Sequence, residues 1–330
     1  MSRRGASLVL STALVLSACG SQAAGKIDAP PGPKLAHWTP VVHVSRPLDV
    51  VGPRAAGAMV VAAAGRLSLL TAGDRVRPYA PGYRSPGGEE PYIALSPGGC
   101  FGAGTVYALR LASGRGVVAI DGAGRARRVA SLNAPGLIDG IAFDRTGGFG
   151  HRLLVTINAG SRTTVVAIGC RGRVATITRT APRVEGGIAV APATFGRFAG
   201  DLIAPSETTG QIWAVTPAGR TALVARSGLP HGGDIGVESE AFVPSGTPEA
   251  LVADRLTPGN RHPGDDVVLR INSPALRAAG VRAGDLLVAT EGGALTDDVR
   301  CGPAGCQVRY VAKGPAVAHL EGHIAFRPSG

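Results

Sequence analysis

Aromatic side chains make up only 4% of this 330-residue chain, and charged ones only 17%. With 7 Phe, 5 Tyr and 2 Trp, there are few of the stacking platforms on which single-stranded nucleic acids are held. No Lys/Arg-rich block occurs either. The 34 basic residues, nearly all Arg, are scattered, so the clustered stripe of a nucleic-acid binder is missing. A formal charge of +11 then reads as a solvated basic surface, with attraction to anionic headgroups or wall polymers as the other reading. The apolar run Ala6–Leu16 is shorter than the roughly 20 residues needed to span a bilayer. Gly-Lys-Ser phosphate loops, Gly-x-Ser-x-Gly elbows and His-Glu-x-x-His zinc motifs are absent, which removes the standard nucleotide, serine-hydrolase and zinc-protease signals. Outside residues 274–280 no stretch carries helical periodicity, and that excludes helical bundles and α/β folds.

What the chain has is glycine and proline, 49 and 25 of them, distributed between short apolar runs in a sequence that is 45% hydrophobic. That pattern belongs to many turns joining short strands, not to disorder. The runs repeat. Val117-Val-Ala119-Ile120, Val165-Val-Ala167-Ile168 and Ile212-Trp-Ala214-Val215 are each followed by a Gly-Arg pair: Gly124-Arg125, Gly172-Arg173 and Gly219-Arg220. Their spacings are 48 and 47 residues. A second landmark recurs five times, as Ile93-Ala94-Leu95, Ile141-Ala142-Phe143, Ile188-Ala189-Val190, Ala241-Phe242-Val243 and Ile324-Ala325-Phe326. Leu153–Thr156, Asp201–Ala204 and Ala250–Ala253 form a third, read as the strand that follows each inner one.

A period of 40 to 50 residues with about four strands per unit is that of a β-propeller blade. One such blade cannot cover both its faces, whereas a closed ring of blades leaves only outer edges in water. The expected fold is therefore all-β: a propeller of six four-stranded blades, with five as the alternative, closed by the C-terminal strand. The 84-residue gap before Ile324 decides the count. Gly284–Glu291 and Gln307–Lys313 read as extra strands and favour six. The last strand, 324–328, is expected to complete a blade whose outer strands come from residues 57–80.

The N-terminus carries Arg3 and Arg4, the apolar run, and then Leu16-Ser17-Ala18-Cys19. This is the charged, apolar and small-residue order of a secretory signal, and its end resembles a bacterial lipobox, which implies lipidation of Cys19. The chain is accordingly divided into a signal peptide at 1–18, a tether at 19–36 and a propeller at 37–330. An extracytoplasmic, membrane-anchored protein is implied, with the membrane as one partner. In that oxidising setting Cys301 and Cys306, five residues apart, are expected to pair. Cys100 and Cys170 are expected to pair by elimination.

Acids precede or flank every inner-strand copy: Glu90, Asp139, Glu185, Glu238 with Glu240, and Glu321. Starting the innermost strands, they would ring one channel mouth. Such a ring repels itself unless a cation, an arginine or protonation relieves it. Two readings stand: carboxylates capping amides or pairing with Arg, or an oxygen-rich site for Ca²⁺. His231-Gly-Gly-Asp234 leading to Glu238 is the densest polar cluster; it reads as a glycine turn or as general acid–base machinery. Asn260-Arg-His262-Pro-Gly-Asp265-Asp266 reads as a solvated turn.

Gly200–Glu207 and Gly210–Arg220, a strand, a turn and Gly-x-Ile-x-x-Val-x-Pro-x-Gly, resemble the blades of gluconolactonase, senescence-marker and strictosidine-synthase-like six-bladed propellers. The resemblance covers about 57–330 and is one of fold. It implies a divalent ion in the channel on a Glu, Asn and Asp set, for which the matching residues are Glu90 or Glu185, Asn158 and Asp254. Two functions follow as expectations. One is an anchored binding or scaffold propeller for a small molecule or protein, without nucleic acid. The other is a metal-dependent lactonase or esterase-like hydrolase. Whether the protein is an enzyme, and which residues would then be catalytic, stays open.

Overall fold

Strands here have both faces apolar, because each sheet is sandwiched between two others. Leu153–Ala159 is buried at every position but its last, and Met59–Ala63 at all but its last. The computed structural model of the protein describes residues 34–88 and 90–328. The signal segment, Cys19 and the tether as far as residue 33 lie outside the described residues. Six sheets are present. Blade 1 runs outward as Pro47–Val51, Met59–Ala63, Arg66–Leu70 and Val76–Tyr79. Blade 2 is Ile93–Leu95, Val106–Arg110, Gly116–Ile120 and Ala126–Ser131. Blade 3 is Leu137–Phe143, Leu153–Ala159, Arg162–Ile168 and Val174–Pro182. Blade 4 is Ala189–Val190, Leu202–Ser206, Gln211–Val215 and Thr221–Arg226. Each inner strand packs on the next, and the sixth packs on the first, so the ring is closed.

The last two blades are interleaved. The chain makes the inner strand of blade 5, Val237–Phe242, then leaves to build Glu249–Asp254 and Val267–Ile271 of blade 6. A short helix, Ser273–Ala278, capped by Asn272, turns it back. Leu286–Thr290, Thr296–Gly302 and Gly305–Lys313 then complete blade 5. Finally Leu320–Arg327 becomes the inner strand of blade 6. The outermost strand of blade 6 is Thr39–His43, from the other end of the chain, and Ala36–His37 adds a parallel edge to blade 5.

This corrects two expectations. The C-terminal strand does close the ring, but its blade takes strands from 249–271 and 39–43, not from 57–80. Those residues have their own inner strand, Pro47–Val51, which lacks the Ile-Ala pattern of the other five. Likewise Ala250–Ala253 pairs with 320–327 and not with the strand preceding it in sequence.

The repeated Gly-Arg pair has a steric cause. Gly172 and Gly219 both have left-handed backbones, and a Cβ would come within 2.1 Å of Val129 O and 2.3 Å of Ile177 O. Each is the turn glycine of one blade pressed on the outer strand of the blade before it, a place where only glycine fits. Both disulfides form: Cys301–Cys306 closes a hairpin tip, and Cys100–Cys170 joins blades 2 and 3.

Candidate functional site

The channel has two unlike ends. Where the inner strands begin, carboxylates converge; where they end, the wall is aliphatic and aromatic.

At the polar mouth, Glu90, Glu238 and Glu321 bring one oxygen each within 4.8 Å of one another, and an oxygen each of Glu291 and Glu321 lies as close to a ring nitrogen of His319. Three blades supply these groups. Glu90 and Tyr92 lead into blade 2, Glu238 and Glu291 belong to blade 5, and His319 and Glu321 open the inner strand of blade 6. Glu321 belongs to both groups. One of its oxygens accepts from Arg255 Nη1 at 3.0 Å and the other lies 3.2 Å from the Tyr92 hydroxyl. That hydroxyl donates to Glu238 at 2.5 Å. A phenol has one hydrogen, so Tyr92 cannot satisfy both carboxylates by itself.

Burial drives the electrostatics. It pushes Glu90 well above the carboxylate range, and the charges of Glu321 and Asp139 push it further. Glu238 is raised in the same way by burial, then by Glu321 and Glu291. Glu207, on the loop after Leu202–Ser206, is raised to about 8 by burial and by Glu291 and Glu185. Desolvation alone would lower His319, but its contacts with Glu291 at 2.8 Å and Glu321 at 3.5 Å outweigh it and lift the imidazole to about 10. His319 is therefore an imidazolium at neutral pH, held between two acids.

The residues expected as ligands are placed as follows. Glu90 lies in the cluster. Glu185 pairs with Arg183 and keeps Oε2 without a partner. Asn158 is engaged on both sides: its amide donates to Asp139 and to Val184 O, and its carbonyl accepts from Thr163 at 2.6 Å. It braces blade 3 against blade 4. Asp254 accepts the His319 amide at 2.8 Å, has a free second oxygen, and is raised to about 6 mainly by burial. Neither Glu185 nor Asp254 belongs to the two close groups. Asp139, raised to about 7 by burial and by Glu185, accepts the Gly186 amide at 3.1 Å. Glu240 is fully buried with both oxygens unpartnered, and belongs to neither group. His231 bonds its own turn at Leu229 O, whereas Asp234 adds its negative charge beside Glu291. The 260–266 segment is a turn braced by Asn260, by His262 on Ala316 O, and by Asp266 on Leu256 N–H.

Tyr92, His319, Glu207, Glu291 and Arg255 were not singled out in the sequence. A signal existed for two of them, Glu207 and Glu291. Asn158, Glu207, Asp254 and Glu291 all end or follow the second strand of a blade, so that register marks the mouth as surely as the acids before the inner strands.

Donor chemistry fits a hard divalent cation. All three atoms of the Glu90, Glu238 and Glu321 group are carboxylate oxygens, and Glu207 Oε1 is another buried oxygen without a partner. Such ions take oxygen ligands.

No family model matches the chain, and no curated protein does. Solved structures do. A calcium-binding protein, regucalcin, from Agrobacterium tumefaciens is 12% identical, with 89% of this chain and 83% of that one covered and a TM-score of 0.54. Virginiamycin B lyase from Staphylococcus aureus is 13% identical over 83% of this chain and 73% of that one, at a TM-score of 0.47. A gluconolactonase from Xanthomonas campestris is 13% identical over 65% and 68%, at 0.41. At such identities the likeness is one of fold, and in that sense the chain resembles a regucalcin-like six-bladed propeller.

Proposed function

We propose that this protein is an extracytoplasmic, lipid-anchored binding propeller that holds a divalent cation of the calcium class at its acidic mouth. Glu90, Glu238 and Glu321 are the ligands. The observation that carries this reading is their convergence from three blades within 4.8 Å, with no salt-bridging Lys, Arg or His on Glu90 or Glu238 among the described residues. The salt bridges of Arg255 and His319 go to Glu321 and Glu291. Such a dry group of acids is costly unless protons or a cation fill it. The anchor rests on Cys19, and the two disulfides suit an oxidising compartment.

Titration of chelator-stripped protein with CaCl₂ tests the site. Binding should raise stability by about 2.7 kcal/mol at a hundredfold excess over Kd, and Glu238→Gln should weaken it at least about tenfold. No heat and no shift in melting temperature at millimolar calcium would remove the reading. Cys19→Ser should release the protein from the membrane fraction.

One observation favours a second reading, hydrolysis of a lactone or ester. His319, protonated and braced by Glu291, stands beside Glu321 and so beside the cation ligands, where it could supply a proton to a leaving oxygen. The ion would supply Lewis acidity towards a carbonyl oxygen. A lactone panel assayed with wild type and Glu238→Gln separates the two: calcium binding without turnover leaves the binding protein.

A further inference from the structure

The opposite end of the channel is a separate cavity of about 310 Å³. Its wall comes from the ends of the inner strands, among them Ala94, Ile141, Phe143, Phe242, Ile324 and Phe326. Tyr92 lies between this cavity and the acids: its ring meets His323 edge-on, with centroids 6.4 Å apart, while its hydroxyl faces Glu238. Among the described residues, the ionisable side chains lining the cavity are His323 and Arg145. His323 is satisfied, since its ring nitrogen lies 3.1 Å from both oxygens of Asp49.

Arg145 stands exposed at the rim of the cavity. Arg183, Arg255, Arg270, Arg300, Arg309 and Arg327 all pair with carboxylates. Arg145 has no acidic partner among the described residues, and its one hydrogen bond is a long 3.4 Å contact to Leu95 O. Its neighbour Asp144 is spent on backbone amides of the following turn. A second cation stands beside it: Arg54, stacked 4.7 Å over Tyr79, shares with Arg145 a cleft of about 350 Å³ that adjoins the cavity at Pro53 and Leu95.

We infer that this cavity binds a small aliphatic carboxylate, its chain in the apolar channel end and its head on the Arg145 guanidinium. An apolar concavity with one or two placed polar groups is what small-ligand sites consist of, and 310 Å³ lies at the lower end of their size range. The carboxylate is ionised at neutral pH, and the planar fork of Arg matches it with two parallel hydrogen bonds. The site is independent of the cation at the other mouth.

Calorimetric titration of the intact protein with octanoate, and with octanol as the uncharged counterpart, tests this. Octanoate should bind one-to-one and more tightly than octanol. Arg145→Ala should weaken octanoate by about ten- to a hundredfold and leave octanol unchanged, whereas Arg145→Lys should keep part of the preference. Ala94→Phe, which fills the cavity, should remove binding of both. Addition of calcium or of chelator should change none of these. Absent octanoate binding, equal affinity for the two ligands, or octanoate binding unaffected by Arg145→Ala at an unchanged melting temperature would overturn the proposal.

Discussion

The Tyr92 hydroxyl reaches from the start of blade 2 to the Glu238 carboxylate of blade 5, 2.5 Å away and 146 residues on in sequence. A fully buried tyrosine thereby crosses the channel and divides it into an acidic mouth and an apolar cup. Its hydroxyl is pushed well above the usual phenol range by burial, then by the charges of Glu238 and Glu90. It therefore stays a donor at any pH the fold tolerates.

Tyr92→Phe removes that donor and leaves Glu238 and Glu321 facing each other without it. The expected cost is about 1–3 kcal/mol, the penalty for an unsatisfied buried polar group. Urea unfolding in chelator measures it. Saturating calcium should shrink the loss, because the ion takes over the neutralisation. An unchanged midpoint in chelator would show that the hydroxyl carries no such load.

Much of the ring was legible in the sequence, for a physical reason. Five inner strands meet the same surroundings and so converge on Ile-Ala or Ala-Phe, and the turn glycines recur because the neighbouring blade leaves no room for a Cβ. Pro47–Val51 escaped since its inward polar residue, Asp49, has another task. It accepts the backbone amides of Ile93 and His323 at 2.9 Å and ties three inner strands together. The exchange between blades 5 and 6 was not legible, because strand pattern records burial and not which neighbour supplies it. Of the site, the acids before the inner strands could be read. His319 and Tyr92 could not, since a single His or Tyr beside a strand carries no periodic mark.

The raised acids give stability a defined pH slope. Asp139 and Asp297 are lifted to about 7 and Glu207 to about 8, in each case first by burial. The folded state thus binds protons that the unfolded state releases near pH 4. Stability from these groups is full below that value and is lost as pH rises through about 7 to 8. His319 acts with the same sign: its contribution is full below about 6.5 and is lost as pH climbs through about 10. In chelator, the melting temperature should fall steadily from pH 6 to pH 9. Calcium should flatten that fall, since it stabilises the ionised forms of its ligands Glu90 and Glu238, which burial also raises. A melting temperature that rises over this range would contradict the arrangement.

The two disulfides should contribute unequally. Cys100 and Cys170 are 70 residues apart, and Cys301 and Cys306 only 5. Chain-entropy arguments give about 4 kcal/mol for the first and about 2 for the second. The double Ser variants, compared by urea unfolding, should keep that order. The 100/170 pair also staples blade 2 to blade 3, so its loss should loosen their interface first. Equal losses would mean that native-state strain or residual structure outweighs loop length.

Interleaving makes blades 5 and 6 a single cooperative unit. Val237–Phe242 lies in one sheet, yet the next two strands lie in the other, and the chain crosses between them three times before Arg327. Neither sheet can open while the other stays whole, because each exit of the chain is the other's entry. Thr39–His43 is held at the outer edge of blade 6 and can peel off without breaking either crossing. Native-state hydrogen exchange should therefore show 237–327 opening together with one free energy. The amides of 39–43 should exchange earlier, through fraying. Blades 1 to 4, each built from one continuous segment, should show separate and graded openings. If the strands 249–254 and 267–271 exchanged well before 286–313, the two sheets would be behaving as independent blades, and the crossing would not couple them.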